Sequence, residues 1–148
     1  MADSILKIIP AVQINKLSEK AIVKAVDYLR EKVDCDFIQF HNYETLSFID
    51  CGSNLKNIIC PICGKVINFE WWGEEMNHAA QSDFVSLMVQ TPCCKRQVSL
   101  NDLIYDFPCG FACWEIDIYN PQEMIADEIL NAIQGILKTD IKIVQAHL

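Results

Sequence analysis

The sequence predicts an α+β fold, and three observations predict it. A strand–helix–strand pattern occurs near each end of the chain. Apolar residues recur at helical spacing in one segment of each pattern and alternate in the strand around 111–119. Cysteine pairs mark a third, separate segment in the middle. With 148 residues and 51% hydrophobic content, the chain is long enough for one domain, 1–148, that buries roughly 68–70% of its unfolded surface.

Ile5 to Ile9 is a short apolar run before Pro10 and reads as a strand. Ser18 is placed to cap a helix over 18–33, with Ile22, Val26, Leu29 and Val33 on its apolar face. Phe37–Phe40 and Thr45–Ile49 read as two strands of a hairpin turning at His41-Asn42. Val66–Trp72 and Phe84–Gln90 are β-rich and flank a polar stretch, Gly73–Asp83, with room for a helical turn. From Phe111 to Tyr119 an apolar face alternates with a more polar one, which predicts a half-buried strand. The final helix is signposted by Asn120 as N-cap, Pro121 at its first position and Glu123 two further on. Its stripe is Ile125, Ile129, Ala132, Ile133 and Ile136, and Ile141–Ala146 follows as a strand.

Outside the middle, the order is therefore strand, helix, strand, twice. This is the split βαβ pattern of a two-layer, ferredoxin-like sandwich. Both helices should lie on one face of a sheet holding strands 5–9 and 141–146. Residues 58–107 would be an insertion between the second and third strands.

The insertion carries the strongest chemical signal. Cys60-Pro61-Ile62-Cys63-Gly64 puts two thiols three residues apart, with a glycine free to follow a tight turn. Thr91-Pro92-Cys93-Cys94 supplies a second pair. Four thiolates suit a tetrahedral zinc ion, so Cys60, Cys63, Cys93 and Cys94 are the expected ligands of a structural zinc. A hairpin of two strands between the pairs would make the segment a zinc ribbon. The adjacent pair is irregular, because neighbouring side chains on an extended chain point opposite ways. His78, Cys109 or Cys113 are the alternatives for one ligand. A redox dithiol is disfavoured, because a β-like run follows Cys63 where that motif has a helix. Cys35 and Cys51 read as small buried hydrophobes. Cys109 and Cys113 would stand about 13 Å apart on a strand, too far for one ion unless the strand begins after Cys109.

The run from Cys60, through Pro92-Cys93-Cys94, Ser99-Leu100-Asn101-Asp102-Leu103, Tyr105, Pro108, Gly110-Phe111-Ala112 and Asn120-Pro121, resembles an uncharacterised family of small bacterial zinc-ribbon-containing proteins. The resemblance implies a bacterial cytoplasmic protein with a zinc site and brings no activity.

Charge narrows the function. The net charge is −8, and the segments 1–57, 58–114 and 115–148 carry net −1, −3 and −4. Nucleic-acid affinity comes largely from cations on phosphates, and the middle offers only Lys65, Lys95 and Arg96. The first residues lack the charged and apolar regions of a secretory leader, and no run approaches a membrane span. A cytoplasmic location is the expectation, and thiols stay reduced there. His41, His78 and His147 are scattered, with no nucleophile beside them. The first reading is a non-enzymatic protein-binding domain such as an adaptor or an immunity protein, with Trp71, Trp72, Glu74 and Glu75 as the contact patch and a basic protein as partner. The alternative is a small enzyme with a pocket between ribbon and sandwich, using Asp102, Tyr105, Asp106 or Glu115. A nucleic-acid-binding ribbon ranks below both.

Overall fold

The computed structural model describes residues 3–11, 17–51, 54–107 and 109–147. In chain order its elements are β1 (Ser4–Pro10), α1 (Glu19–Lys32), β2 (Phe37–Ile49), β3 (Ile58–Ile59), β4 (Val66–Ile67), α2 (Phe69–Gln81), β5 (Met88–Gln90), β6 (Gln97–Ser99), β7 (Ile104–Tyr105), β8 (Gly110–Tyr119), α3 (Asp127–Leu137) and β9 (Ile141–His147). The fold is α+β.

The main sheet has the order β2-β8-β1-β9, and every pairing in it is antiparallel. Strands β1 and β2 therefore run parallel with β8 between them, and β8 and β9 run parallel with β1 between them. The two βαβ units interleave. Helices α1 and α3 pack against each other and the same face of this sheet. Ile22, Ala25, Val26 and Leu29 of α1 and Ile133 and Leu137 of α3 share one core with Ile8, Ile38, Trp114, Ile116 and Ile118. Ile22, Val26, Leu29 and Ile133 are buried as their spacing predicts; Ile125, Ile129 and Ile136 pack only partly buried against the same core, and Leu137, outside the expected stripe, is buried with them. Ser18 caps α1, its hydroxyl accepting from the Ala21 N–H at 3.2 Å.

The opposite face is covered near the neck of the insertion, where Ile9, Ile49, Cys51, Cys109, Ala112 and Val144 form a second core. The insertion holds a three-stranded sheet, β4-β3-β7, and a two-stranded one, β5-β6. Its own core includes Ile58, Ile67, Leu87, Val89, Val98, Leu100 and Leu103, and takes in Phe111 from β8.

Four local expectations fail, each for a physical reason. Residues 37–49 form one strand and no hairpin. His41-Asn42 lacks the positive-φ residues a tight turn needs, and β2 pairs β8 on both sides of an irregularity. From Asn42 to Ser47, β2 takes five steps while β8 takes two, from Trp114 to Ala112, so the extra chain bulges out. The β-rich stretch 66–72 gives way after Ile67 to α2, because Asn68 caps a helix through its side chain, which accepts from the Glu70 N–H at 2.6 Å. The 84–90 stretch is a strand only from Met88, since Asp83 and Phe84 have φ of 55° and 57° where α2 ends. Helix α3 starts at Asp127, not at Pro121, and its Ala126 cap makes no side-chain bond. Asn120 has φ 51°. It ties strand ends together instead: its Oδ1 accepts from the Ser4 N–H at 2.9 Å, and its Nδ2 donates to Asp36 at 2.7 Å and to Asp3 at 3.2 Å.

Strand β8 is buried on both faces, not on one, because it has a strand on either side, and near its start Ala112 packs into the neck core and Phe111 into the insertion core. Ile116 sits at its middle, opposite Ile8 on β1 and Phe40 on β2. Ile116→Ala should destabilise the fold by about 2–5 kcal/mol, the range for truncating a fully buried aliphatic side chain. Urea unfolding followed by Trp fluorescence measures this, and a loss below about 1 kcal/mol would contradict the packing described.

Candidate metal centre

Two hairpin turns of the insertion meet at their tips. The first joins β3 to β4 through Cys60-Pro61-Ile62-Cys63-Gly64-Lys65. The second joins β5 to β6 through Thr91-Pro92-Cys93-Cys94-Lys95-Arg96. Their backbones follow one pattern. The Cys60 N–H bonds the Lys65 carbonyl at 2.9 Å, as Thr91 N–H bonds the Arg96 carbonyl at 2.9 Å. The Gly64 N–H bonds the Cys60 carbonyl at 3.0 Å, as Lys95 N–H bonds the Thr91 carbonyl at 3.1 Å. Gly64 and Lys95 close the turns at φ 76° and 55°.

This pattern resolves the adjacent cysteines. Each tip is a turn of the i→i+4 kind, so neighbouring side chains are not thrown to opposite sides as they are on a strand. In the first turn the cysteines occupy positions one and four. In the second they occupy positions three and four, and Thr91 stands where Cys60 stands in the first. Both residues are sealed in, Cys60 at 0% and Thr91 at 1% exposure. Thr91 Oγ1 accepts from the Arg96 N–H at 3.1 Å and lies 3.3 Å from the Cys94 sulfur. Sequence reasoning missed Thr91; the alignment of Thr-Pro-Cys-Cys-Lys-Arg on Cys-Pro-Ile-Cys-Gly-Lys is the signal that carries it.

The four sulfurs lie within 4.8 Å of one another. Cys60 and Cys94 stand 3.7 Å apart, Cys63 and Cys93 3.3 Å apart. A regular tetrahedron of sulfurs at about 2.3 Å from its centre has edges of about 3.8 Å. The group could therefore hold a metal ion, and it is the one such group among the described residues. Burial raises the thiol pKa of Cys60, but the backbone N–H groups of Cys63 and Ile62 and the neighbouring thiols outweigh it and bring the pKa down to about 6. Cys93 is pushed up to about 11 by burial and by the thiols it bonds. A thiolate therefore forms at Cys60 before Cys93, and thiolates are what metals bind.

The alternative ligands lie elsewhere. His78 is exposed in the last turn of α2. Cys109 is buried against Cys51, and burial first, then Cys51, push its thiol up to about 12. Cys113 is buried on β8. The hairpin expected between the two cysteine pairs is absent: β4 pairs β3, β5 pairs β6, and α2 connects them. Trp71 and Trp72 are thus on a helix, both half-buried against the insertion core. Trp72 Nε1 donates to the Tyr105 hydroxyl at 3.3 Å, which donates to the Leu100 carbonyl at 2.7 Å. Asp106 accepts from the Lys56 N–H at 3.0 Å and from Asn57 Nδ2 at 3.1 Å, and those donors hold its carboxyl below the usual range. Asp102 is exposed, and Glu115 lies on β8 beside Tyr43. His41 bridges to Asp117 at 3.2 Å. Pro108 and the side chain of His147 lie outside the described residues.

No protein-family model matches the chain, and no curated protein or solved structure matches it either. No helix among the described residues is long and apolar enough to cross a membrane.

The purified protein should hold one metal ion per chain. Cys60→Ser and Cys94→Ser should each abolish that stoichiometry, whereas Cys109→Ser and Cys113→Ser should leave it at one. Elemental analysis with protein quantification reads this directly.

Proposed function

We propose that this chain is a non-catalytic cytoplasmic protein-binding domain, with a zinc ribbon as the structural device in its middle. The observation that carries the reading is the closed set of four sulfurs. Four soft thiolates in a tetrahedron favour zinc or iron, and zinc fits a site whose role is to hold two turns together. Four protein ligands leave no open position for a water or a substrate. The polar groups around the insertion support the same reading. Tyr105 and Asp106 are engaged in holding the backbone.

An excess of eight negative charges favours a basic protein as partner, because a complementary field speeds encounter. An adaptor, or an immunity protein that blocks a toxin, is the kind of function this fits, in the bacterial setting that the family resemblance implies. Helix α2 places Trp71, Glu74 and Glu75 on neighbouring surface positions, three and four residues apart; with Trp72 they form the proposed contact patch.

Affinity capture from the native host, followed by reconstitution of the captured pair, tests the proposal. Its association rate should fall at least about tenfold between low and physiological salt. The double variant Glu74→Lys/Glu75→Lys should lower it further at low salt, with dissociation less affected. Retention of RNA or DNA at moderate salt, or turnover of a substrate, would overturn the reading.

A further inference from the structure

Two carboxylates lie where the fold gives them little to bond. Glu115 and Asp117 are two residues apart on β8, so their side chains share one face of the sheet. They are 5% and 4% exposed. One oxygen of each is satisfied. Glu115 Oε1 accepts from the Tyr43 hydroxyl. Asp117 Oδ2 faces His41 Nε2 at 3.2 Å. The other two, Glu115 Oε2 and Asp117 Oδ1, are buried with no hydrogen-bond partner among the described residues. An unpaired buried carboxylate oxygen is expensive, and two side by side on the central strand call for an explanation.

Among the described residues, the neighbours supply no further donor to those atoms. From β1, Lys7 stands opposite Asp117 in register, and its charge works to keep Asp117 ionised. Its ammonium, however, donates to the Asp50 carbonyl at 3.2 Å. From β2 come His41 and Tyr43, already described, and Gln39, the register partner of Asp117, which is exposed. Tyr119, further along β8, is held in its neutral form by burial and by the same two carboxylates. Tyr43 is held neutral too, by burial and its bond to Glu115. Both helices lie on the other face.

We infer that Glu115 and Asp117 share a single proton in the folded chain, so that the central strand carries a proton-binding site with one negative charge spread over two carboxyl groups. Ionised carboxylates are acceptors only, whereas a protonated one donates. The two side chains are within hydrogen-bonding reach of each other. One proton between them converts two facing acceptors into one bond and removes the repulsion of adjacent buried charges, as in other close carboxylate pairs. Burial first, then the bond and charge of Glu115, raise the pKa of Asp117 to about 8.

The site makes the fold sensitive to pH. Unfolded, Asp117 releases its proton near its ordinary value of 3.8. Folded, Asp117 is raised to about 8. Between those values the folded chain binds one proton more than the unfolded one, so stability falls as pH rises through the window and levels off above it.

Carbon-13 carboxyl shifts of the intact protein, followed against pH with Glu115→Gln and Asp117→Asn for assignment, test the inference. One carboxyl of the pair should titrate near pH 8, not in the ordinary acid range; that step should vanish in Asp117→Asn and move to lower pH in Glu115→Gln, which removes the Glu115 charge but not the burial. The decline in urea midpoint between pH 5 and 8 should be shallower in Asp117→Asn than in the wild type. If both carboxyls titrate in the acid range in the wild type, no shared proton exists, and this holds whether or not the variants fold. A folded Asp117→Asn protein with the wild-type pH slope would overturn the link to stability.

Discussion

The constraint on which the rest of the structure depends is the double pairing of β8. This strand bonds β1 along one edge and β2 along the other, so the registers of both βαβ units meet on it. Its even-numbered residues, Trp114, Ile116 and Ile118, give the helices their floor. Glu115 and Asp117 take the opposite face, while nearer its start Ala112 packs into the neck core and Phe111 reaches into the insertion core. A change in the register of β8 by one residue would exchange those two faces. The helices would then meet Glu115 and Asp117, and the isoleucines would lose their partners.

That double role explains which parts of the fold were legible in the sequence. The outer βαβ pattern was readable because α1 and the strands carry their own periodicity, which needs no knowledge of the partner. The four cysteines of the candidate site were readable because metal chemistry restricts both residue type and spacing. What could not be read depended on tertiary context. The alternation in 111–119 suggests a strand with one wet face, since nothing local says that Glu115 and Asp117 are closed off from water as the isoleucines are. Asn120-Pro121 has the composition of a helix start, yet Asn120 finds Asp3, Ser4 and Asp36, and long-range bonds override a local preference. Trp71-Trp72 looked like strand because aromatic residues favour sheets, while the capping bond of Asn68 decided for helix.

The candidate centre also shows how a turn and its donors can be separable. Both tips have the same backbone bonds and the same left-handed closing residue, but they offer sulfurs from different positions. The turn geometry is thus a property of the chain around Pro61 and Pro92, and the donor positions are laid over it. In the second tip, the hydroxyl of Thr91 takes the interior place that Cys60 fills with sulfur.

The placement of that centre bears on how the chain finds its register. Ile49 pairs with Gly110, so joining β2 to β8 must close an excursion of about 60 residues. A bond through a metal between Cys60 and Cys94, 34 residues apart, would fold more than half of that excursion away beforehand. What remains to be closed is roughly a dozen residues on one side and fewer than twenty on the other. Because closure entropy grows only with the logarithm of length, the equilibrium gain is below about 1 kcal/mol. The larger consequence is kinetic: with the ion in place, the pairing of β2 with β8 becomes a shorter-range event, and shorter-range pairings form faster.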